Sequence, residues 1–374
     1  MGLLKVKPTV TYSSLVESPA VDLASLTLEG LTAFFTSIGE KPFRAKQLYT
    51  WVHQRGATSF DEMTDLSKAL RETLKAKAVL RVVKKDLEQR SVDGTIKYRW
   101  LTHDGKLIES VYMPSPERRT LCVSTQVGCA MGCRFCATAT LGLVRHLSPS
   151  EIVAQVHAVN REVRKNEGLE TLRPLTNLVF MGMGEPLHNF ENVKTALELL
   201  QSEAGPNFSA RHITVSTVGL VPVIERFATE TDVKLAISLN ASSDEVRDRI
   251  MPVNKRWKIA DLMEAVKKFP VKQGRRVTFE YVLMNGVNDT DEDAHRLAKL
   301  LEGVPAKVNL IQYNENPGLG FNTTGDNRAE RFRQILEGAE VAAFIRANRG
   351  RDIAAACGQL ANVDKRTDVP SPAL

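Results

Sequence analysis

A chain of 374 residues can hold one large domain and a smaller one, and its 43% hydrophobic and 25% charged content is that of a soluble globular protein. No run approaches the roughly 20 apolar residues of a membrane span. The N-terminus, Met1-Gly2-Leu3-Leu4-Lys5-Val6, has no signal-peptide core, so a cytoplasmic protein is expected. Five cysteines, three of them in one loop, exclude a secreted disulfide framework and point to chemistry in a reducing compartment. The net charge of +6 is compatible with a phosphate-rich partner.

Residues 1–20 show no period and are expected to form a loose arm. From Thr27, Leu28, Leu31, Phe34, Phe35 and Ile38 recur at helical spacing, with Gly39 as a stop. A second helix is expected over about 44–54, with Leu48, Trp51 and Val52 on one face. A third begins near Asp61 or Ser67 and carries Leu66, Leu70 and Leu74. Residues 66–90 read as helix-like and hold eight cations against three anions, either a solvated face or a contact surface for RNA phosphates. Over 91–113 the period changes to two: Ile96, Tyr98 and Trp100 alternate with Lys97 and Arg99, and Asp93-Gly94 and Asp104-Gly105 are turn pairs. A small hairpin leading into a strand over Lys106–Tyr112 follows. Met113-Pro114-Ser115-Pro116 reads as a linker that closes an N-terminal domain of residues 1–114.

Beyond it, strand-like and helix-like segments alternate. The strands are expected at Leu121–Thr125, Asn177–Met181, His212–Thr217, Val233–Leu239, Val277–Leu283 and Lys307–Tyr313, with a further one at Val341–Arg346. Repeated βα units imply a parallel sheet with helices outside it. Six or seven of them suggest a barrel or partial barrel over residues 115–348, whose active site would lie at the C-terminal strand ends. Residues 349–374 then form a C-terminal loop.

The chemistry centres on Cys129-Ala130-Met131-Gly132-Cys133-Arg134-Phe135-Cys136, three thiols spaced C-x3-C-x2-C. Soft thiolates in a short loop suit zinc or an iron–sulfur cluster. A closed zinc site needs a fourth ligand, and no second cysteine pair exists. A four-iron cluster held by three cysteines would keep one iron open to a small molecule. A second motif, Met181-Gly182-Met183-Gly184-Glu185-Pro186, follows the next strand. Its glycines allow close backbone approach, and its carboxylate can pair with an ammonium group. Further strand ends carry short polar groups: Ser216, the run Ser238-Leu239-Asn240, and Asn314. Two lone cysteines remain, Cys122 in the first strand and Cys357 in Ala356-Cys357-Gly358-Gln359-Leu360.

The cysteine triad after a β-type run, with Phe135 before its last member, resembles the cluster loop of the radical S-adenosylmethionine (radical SAM) enzymes. The Ala-Cys-Gly-Gln-Leu segment, the upstream Cys122, Leu187-His188-Asn189 and Met251-Pro252-Val253-Asn254 narrow the resemblance to the adenosine methyltransferases of the RlmN/Cfr family, over nearly the whole chain. Val127–Arg134 and Gly184–Leu187 have the forms of the branch that modifies adenine C2 rather than C8. Asn240 departs from the His of many members, and Ala139 from their Gly.

The resemblance implies an α/β fold: a partial (β/α)6 barrel with a small helical, RNA-contacting N-terminal domain and a β-hairpin extension. It implies a [4Fe-4S] cluster on Cys129, Cys133 and Cys136, and SAM, two per turnover, held by Gly184, Glu185, Ser216, Ser238, Leu239, Asn240 and Asn314. Adenine C2 is electron-poor and offers no nucleophile for ordinary methyl transfer, so the cofactor carries the hard step. In the implied scheme Cys357 takes a methyl from one SAM, and a radical made from a second SAM activates that methyl to add to C2. Glu109 is the implied proton acceptor, and Cys122 releases the product through a transient disulfide with Cys357. Glu109 also reads as an outward carboxylate on an alternating strand. The implied partners are 23S rRNA, tRNA and an electron donor such as flavodoxin; the protein is expected to be a monomer with no membrane partner. The alternatives are a C8-specific RNA methyltransferase, another radical SAM enzyme acting on protein, or a non-enzymatic metal-binding module.

Overall fold

The structure, a computed structural model, describes residues 20–171, 173–270 and 276–361. The arm expected over residues 1–20 lies outside them except for Ala20, as do residues 362–374 of the expected C-terminal loop. The helical N-terminal unit runs from β1 (Val21–Asp22) through α1 (Leu28–Ser37), α2 (Phe43–Tyr49) with a following π turn over Thr50–Gln54, and α3 (Lys68–Lys77), to β2 (Ala78–Val79), which pairs parallel with β1. Thr27 caps α1 by accepting the Gly30 N–H, and Ser67 caps α3 by accepting that of Leu70. The expected helices are present, the second divided between α2 and the π turn.

Residues 84–90 correct the helix-like reading. They form β3 (Lys84–Arg90), antiparallel to β4 (Ile96–Leu101), which is antiparallel to β5 (Leu107–Ser115). β3 is largely exposed and charged, as edge strands commonly are; its pairing with the Tyr98 and Trp100 strand overrides its local pattern. Met113–Ser115 is likewise strand rather than linker, because β5 turns tightly into β6 (Arg118–Cys122) with Ser115 opposite Arg118. One sheet therefore joins the hairpin to the barrel.

In the barrel, β6 pairs parallel with β9 (Asn177–Phe180), followed by β10 (Ile213–Thr217), β11 (Lys234–Ser238), β12 (Val277–Leu283), β13 (Ala306–Gln312) and β14 (Ala342–Ile345). A short antiparallel pair, β7 (Gln126–Gly128) and β8 (Leu143–His146), brackets the small helix α4 (Ala137–Thr140). The outer helices are α5 (Pro149–Glu167), α6 (Phe190–Gln201), α7 (Val221–Glu230), α9 (Ile259–Lys268), α10 (Asp291–Leu300) and α11 (Asp326–Gly338), with a short α8 (Asp244–Ile250) between β11 and α9. Six βα units and a seventh strand give the expected partial barrel. Its core is a continuous apolar cluster that includes Leu178, Phe180, Val215, Ile237, Phe279 and Leu310. Ser148 and Glu151 form a capping box at the start of α5, and Gly168, at φ +63°, ends it.

The ten-strand sheet has two free edges, β14 and β3. The chain after β14 spans the opening. Gly350 N–H donates to Asp93, Ser91 and the Val92 N–H donate to Asp352, and Lys97 donates to the Ala354 carbonyl. Farther along, Thr138 donates to the Leu360 carbonyl and Gln359 to that of Glu315. The segment carrying Cys357 is thereby tied to the hairpin on one side and the barrel on the other. Among the described residues no helix is long and apolar enough to cross a membrane.

Candidate active site

The cysteine loop leaves β7 at Gly128, whose φ is +75° and where a Cβ would lie 1.8 Å from the Gly142 carbonyl oxygen. Only glycine fits there. The loop is fixed by Cys129 N–H to Gly142 O at 2.8 Å, Arg134 N–H to Ile250 O at 2.9 Å and Ala137 N–H to Gly358 O at 2.7 Å. Cys133 is buried, and Cys129 and Cys136 are partly so. Burial pushes the Cys129 thiol up to about 12 and that of Cys133 well above its ordinary value. Thiols held neutral in this way become thiolates when they bind a metal. The three sulfurs do not all lie within 4.8 Å of one another. A single zinc with Zn–S bonds of about 2.3 Å would draw them closer than that, so the splayed loop fits a larger cluster better.

The second motif is threaded against the first. Met183 N–H donates to Ser124 Oγ, and Thr125 and Gln126 N–H both donate to Met183 O. Gly184 sits at φ +100°, with an added Cβ 2.6 Å from the Gln126 Cβ, so this position also requires glycine. Glu185 N–H donates to Gln126 Oε1 at 2.8 Å. The Glu185 carboxylate is 2% exposed and accepts the N–H groups of Leu187 and Val218. Burial pushes its carboxyl up to about 7 against those hydrogen bonds, and none of the groups bonded to it is a cation. A buried carboxylate of this kind is suited to a ligand ammonium. It lies within electrostatic reach of Cys129 and Cys133.

The strand-end residues divide into two sets. Ser216 and Ser238 are 3.2 Å apart through their hydroxyls, on adjacent strands. Asn314 donates to the Cys357 carbonyl at 3.4 Å, and its Oδ1 is buried without a partner, so that oxygen fits a ligand donor. Leu239 is fully buried, its N–H donating to Glu280 O. Asn240, in the left-handed region at φ +57°, accepts the Val282 N–H and donates to Met251 Sδ. Its amide is thus spent inside the fold.

Cys122 ends β6, buried, and its thiol is pushed up first by burial and then by the nearby Cys357. Cys357 is reached by solvent yet ringed by protein, which pushes its thiol up to about 11; Glu280 and Cys136 act in the same direction, and Arg346 opposes them. Cys357 therefore lies within electrostatic reach of both the cluster loop and Cys122. All five cysteines are free thiols. Glu109 is not an outward carboxylate. It is 3% exposed, accepts the Ala361 N–H at 3.1 Å and lies 3.5 Å from Lys97 Nζ. It faces the loop beyond Cys357.

Three site residues carried no sequence signal of their own. Gln126 holds Glu185 and reaches His146 and His188. Ser124 links Glu109 O to Met183 N. Arg247, 1% exposed, donates to Val218 O, Leu239 O and Asn254 Oδ1 and so ties two strand ends together. Its position, four residues before Met251-Pro252-Val253-Asn254, was the available pointer.

Comparison with known proteins agrees with this geometry. A model of the ribosomal RNA large subunit methyltransferase N-terminal domain matches residues 21–80, and one of the radical SAM superfamily matches 123–298. The chain is 74% identical over 343 residues to dual-specificity RNA methyltransferase RlmN 2 of Myxococcus xanthus, covering 91% of each chain. It is 61% identical to the RlmN of Anaeromyxobacter dehalogenans, again over 91% of each. The crystal structure of a radical SAM methyltransferase from Sphaerobacter thermophilus superposes with a TM-score of 0.86 at 46% identity, covering 91% of this chain and 99% of that one. A loop of three thiols, one short of a closed four-ligand site, a buried carboxylate without a cation and these likenesses point one way: the chain belongs to the RlmN family of radical SAM RNA methyltransferases.

Proposed function

We propose that this protein methylates C2 of a specific adenosine in 23S rRNA, and the adenosine 3′ of the anticodon in tRNA, through a methyl group carried on Cys357. The observation that carries this reading is the seat of Cys357: its loop is bonded to the cluster loop through Ala137 N–H and Gly358 O at 2.7 Å, with Cys122 near its thiol. A thiol used only for packing needs neither neighbour.

Cys129, Cys133 and Cys136 would hold a [4Fe-4S] cluster, and Glu185, Gly184, Ser216, Ser238 and Asn314 would receive SAM. When bound, cluster and SAM together supply a reductively generated carbon radical able to take a hydrogen atom from a methyl group. The residues of this chain do the rest. Cys357, as thiolate, takes a methyl group from one SAM, so two SAM molecules are used per turnover. Its activated S-methylene carbon bonds to adenine C2, joining protein to RNA. Glu109, 3.5 Å from Lys97 Nζ, accepts the proton lost from C2 as the adduct gives up its unpaired electron, which would return to the cluster. Cys122 then attacks the Cys357 sulfur, and a transient disulfide forms as the carbon–sulfur bond breaks; the freed carbon keeps the electron pair and takes a proton to become the methyl group, and the reductant returns the disulfide to two thiols. The target base has to be unstacked to enter, which favours a loop adenosine.

The same reading assigns residues 1–114 to RNA contact, 115–348 to the radical chemistry and 349–374 to methyl carriage. It implies a cytoplasmic monomer served by a reductant such as flavodoxin. The test is mass spectrometry of nucleosides from 23S rRNA and tRNA, with and without this gene. Loss of 2-methyladenosine on deletion and its return on complementation are expected. Unchanged 2-methyladenosine in both RNAs rejects the assignment.

A further inference from the structure

Much of the positive charge that stands out in the sequence is neutralised in the fold. Lys75 is bound to Asp61 and Glu72, Lys85 to Glu88 and Glu162, and Arg90 to Glu88. Four arginines elsewhere are not. Arg55 after the π turn, Arg161 and Arg164 on α5 and Arg173 in the loop beyond it line one cleft between the N-terminal unit and the barrel, and no carboxylate lines it. Among the described residues none of the four forms an ion pair. Glu162, next to Arg161 in sequence, is held by Lys85 at 2.7 Å.

The cleft also holds polar groups with no partner. Arg164 Nε is buried and unbonded. His53, 2% exposed, has both ring nitrogens unbonded, and so does Nε2 of His157, whose ring lies 5.8 Å from it. Arg161 gives one N–H to the Gly56 carbonyl at 2.9 Å, but none of the four has a carboxylate; buried polar atoms are almost always satisfied, so the unbonded ones beside these guanidinium groups mark a site short of an anionic acceptor. Guanidinium matches phosphate in charge and in planar donor geometry. Arg161 also lines two adjoining clefts, one with Arg81 and one with Lys84, so basic groups continue along the seam, although Lys85 in the second is held by Glu162.

We propose that this cleft binds phosphodiester groups of the RNA substrate, as a backbone contact separate from the pocket that receives the target adenosine. It rests on the RNA reading above. The position of the cleft favours RNA over an acidic reductant. Gln155 of α5 bonds Ser124 beside the cluster loop, and Arg161 and Arg164 lie about 9 and 14 Å farther along the helix at 1.5 Å per residue. The helix runs away from the barrel mouth there, since Glu167 at its end pairs with Arg119 at the start of β6. An electron donor gains nothing by docking at the far end of the barrel wall, whereas a folded RNA carries phosphates over its whole surface and can reach both places.

The test is binding of in vitro transcribed tRNA and 23S rRNA to the full chain at several salt concentrations. Each lost phosphate contact lowers the slope of log affinity against log salt by about 0.7 to 0.9. Arg164→Glu with Arg173→Glu should lower it by about 1.5, and the doubly Lys-substituted protein should keep it. Because reversal of two charges can disturb packing, the single exposed change Arg55→Gln provides a second arm, with an expected loss of about 0.8 and an unchanged melting temperature. Release of 5′-deoxyadenosine from SAM with a chemical reductant should match wild type in every variant. An unchanged slope in both variants, beside a wild type that binds and methylates RNA, overturns the cleft alone. Intact RNA binding with slower reduction by flavodoxin makes it a protein-docking face and also overturns the proposal. A wild type without affinity for either RNA overturns the cleft and the RNA reading together.

Discussion

The backbone N–H of Ala137 donates to the carbonyl of Gly358 at 2.7 Å, so the residue after the last cluster cysteine is bonded to the residue after Cys357. Two segments more than two hundred residues apart in sequence are thereby placed in fixed register at the barrel mouth. Gly358 is held at φ +82°, with the Phe135 carbonyl 3.3 Å from where a Cβ would stand.

Gly358→Ala should therefore displace the Cys357 loop without touching the cluster ligands. The left-handed backbone alone costs a non-glycine residue about 1 to 2 kcal/mol. Iron content should stay near wild type while methyl incorporation into Cys357 falls severalfold. Peptide mass spectrometry of the protein isolated with SAM measures this. Full methylation of Cys357 in the variant would show that the register does not matter.

Replacing Cys129, Cys133 or Cys136 with Ala should each abolish bound iron, because a cluster held by three thiolates has none to spare. Anaerobically purified wild type should be brown and each variant colourless. Iron at wild-type stoichiometry in any one of them removes that cysteine from the ligand set.

Glu185 makes a pH-dependent prediction. Burial raises its carboxyl in the folded chain to about 7, against an ordinary value of 4.5. A carboxyl raised on folding favours the fold while protonated. Its contribution is fully present below about 4.5 and is lost as pH rises through about 7. Without ligand, the protein should therefore lose stability over that interval, and the loss should be smaller in Glu185→Gln, read as the difference in melting temperature between pH 5 and pH 8. With ligand the sign reverses. A SAM ammonium favours the carboxylate, so affinity should rise with pH up to about 7 and then level off. Glu185→Gln should weaken SAM binding at least tenfold, since an interaction with a buried charge contributes roughly 1.5 to 3 kcal/mol. Equal SAM affinity in variant and wild type would take Glu185 out of the site.

The parts of this site that were legible in the sequence are those whose chemistry is local. Three thiols in one loop and glycines beside a carboxylate each act within a few residues, and each appears where the pattern placed it. Residues 84–90 were misread because their pattern is that of a charged surface and their strand partner, β4, decides their conformation from outside. Met113–Ser115 was misread for the same kind of reason: prolines suggest a linker, but β5 runs through Pro114 and closes on β6 through Arg118. Glu109 looked outward from its own alternation, and it is buried because the returning C-terminal segment covers it and bonds to it through Ala361. Gln126, Ser124 and Arg247 act on main-chain atoms of distant loops, and no spacing along the chain encodes such contacts. The unpaired arginines were hidden in a similar way, since composition counts charges and only the fold shows which of them have found carboxylates.

The last prediction separates the two lone cysteines by the order of bond making. Cys122 is buried and Cys357, within its electrostatic reach, is open to solvent, so packing alone would make Cys122→Ala the more damaging change and would give an RNA adduct in neither variant. The proposed reaction separates them differently. Cys357→Ala should bind iron and SAM and never become attached to RNA, because the atom that carries the methyl is gone. Cys122→Ala should accept a methyl on Cys357, join it to adenine C2 and stop, because nothing remains to attack the Cys357 sulfur. Purified Cys122→Ala should then carry covalently bound RNA, seen as a gel shift that nuclease removes. Adding Cys357→Ala to it should abolish the adduct, which places the bond on Cys357 and excludes a non-specific crosslink. Normal turnover by Cys122→Ala, or an adduct on protein lacking Cys357, overturns these roles while leaving the cluster and SAM assignments intact.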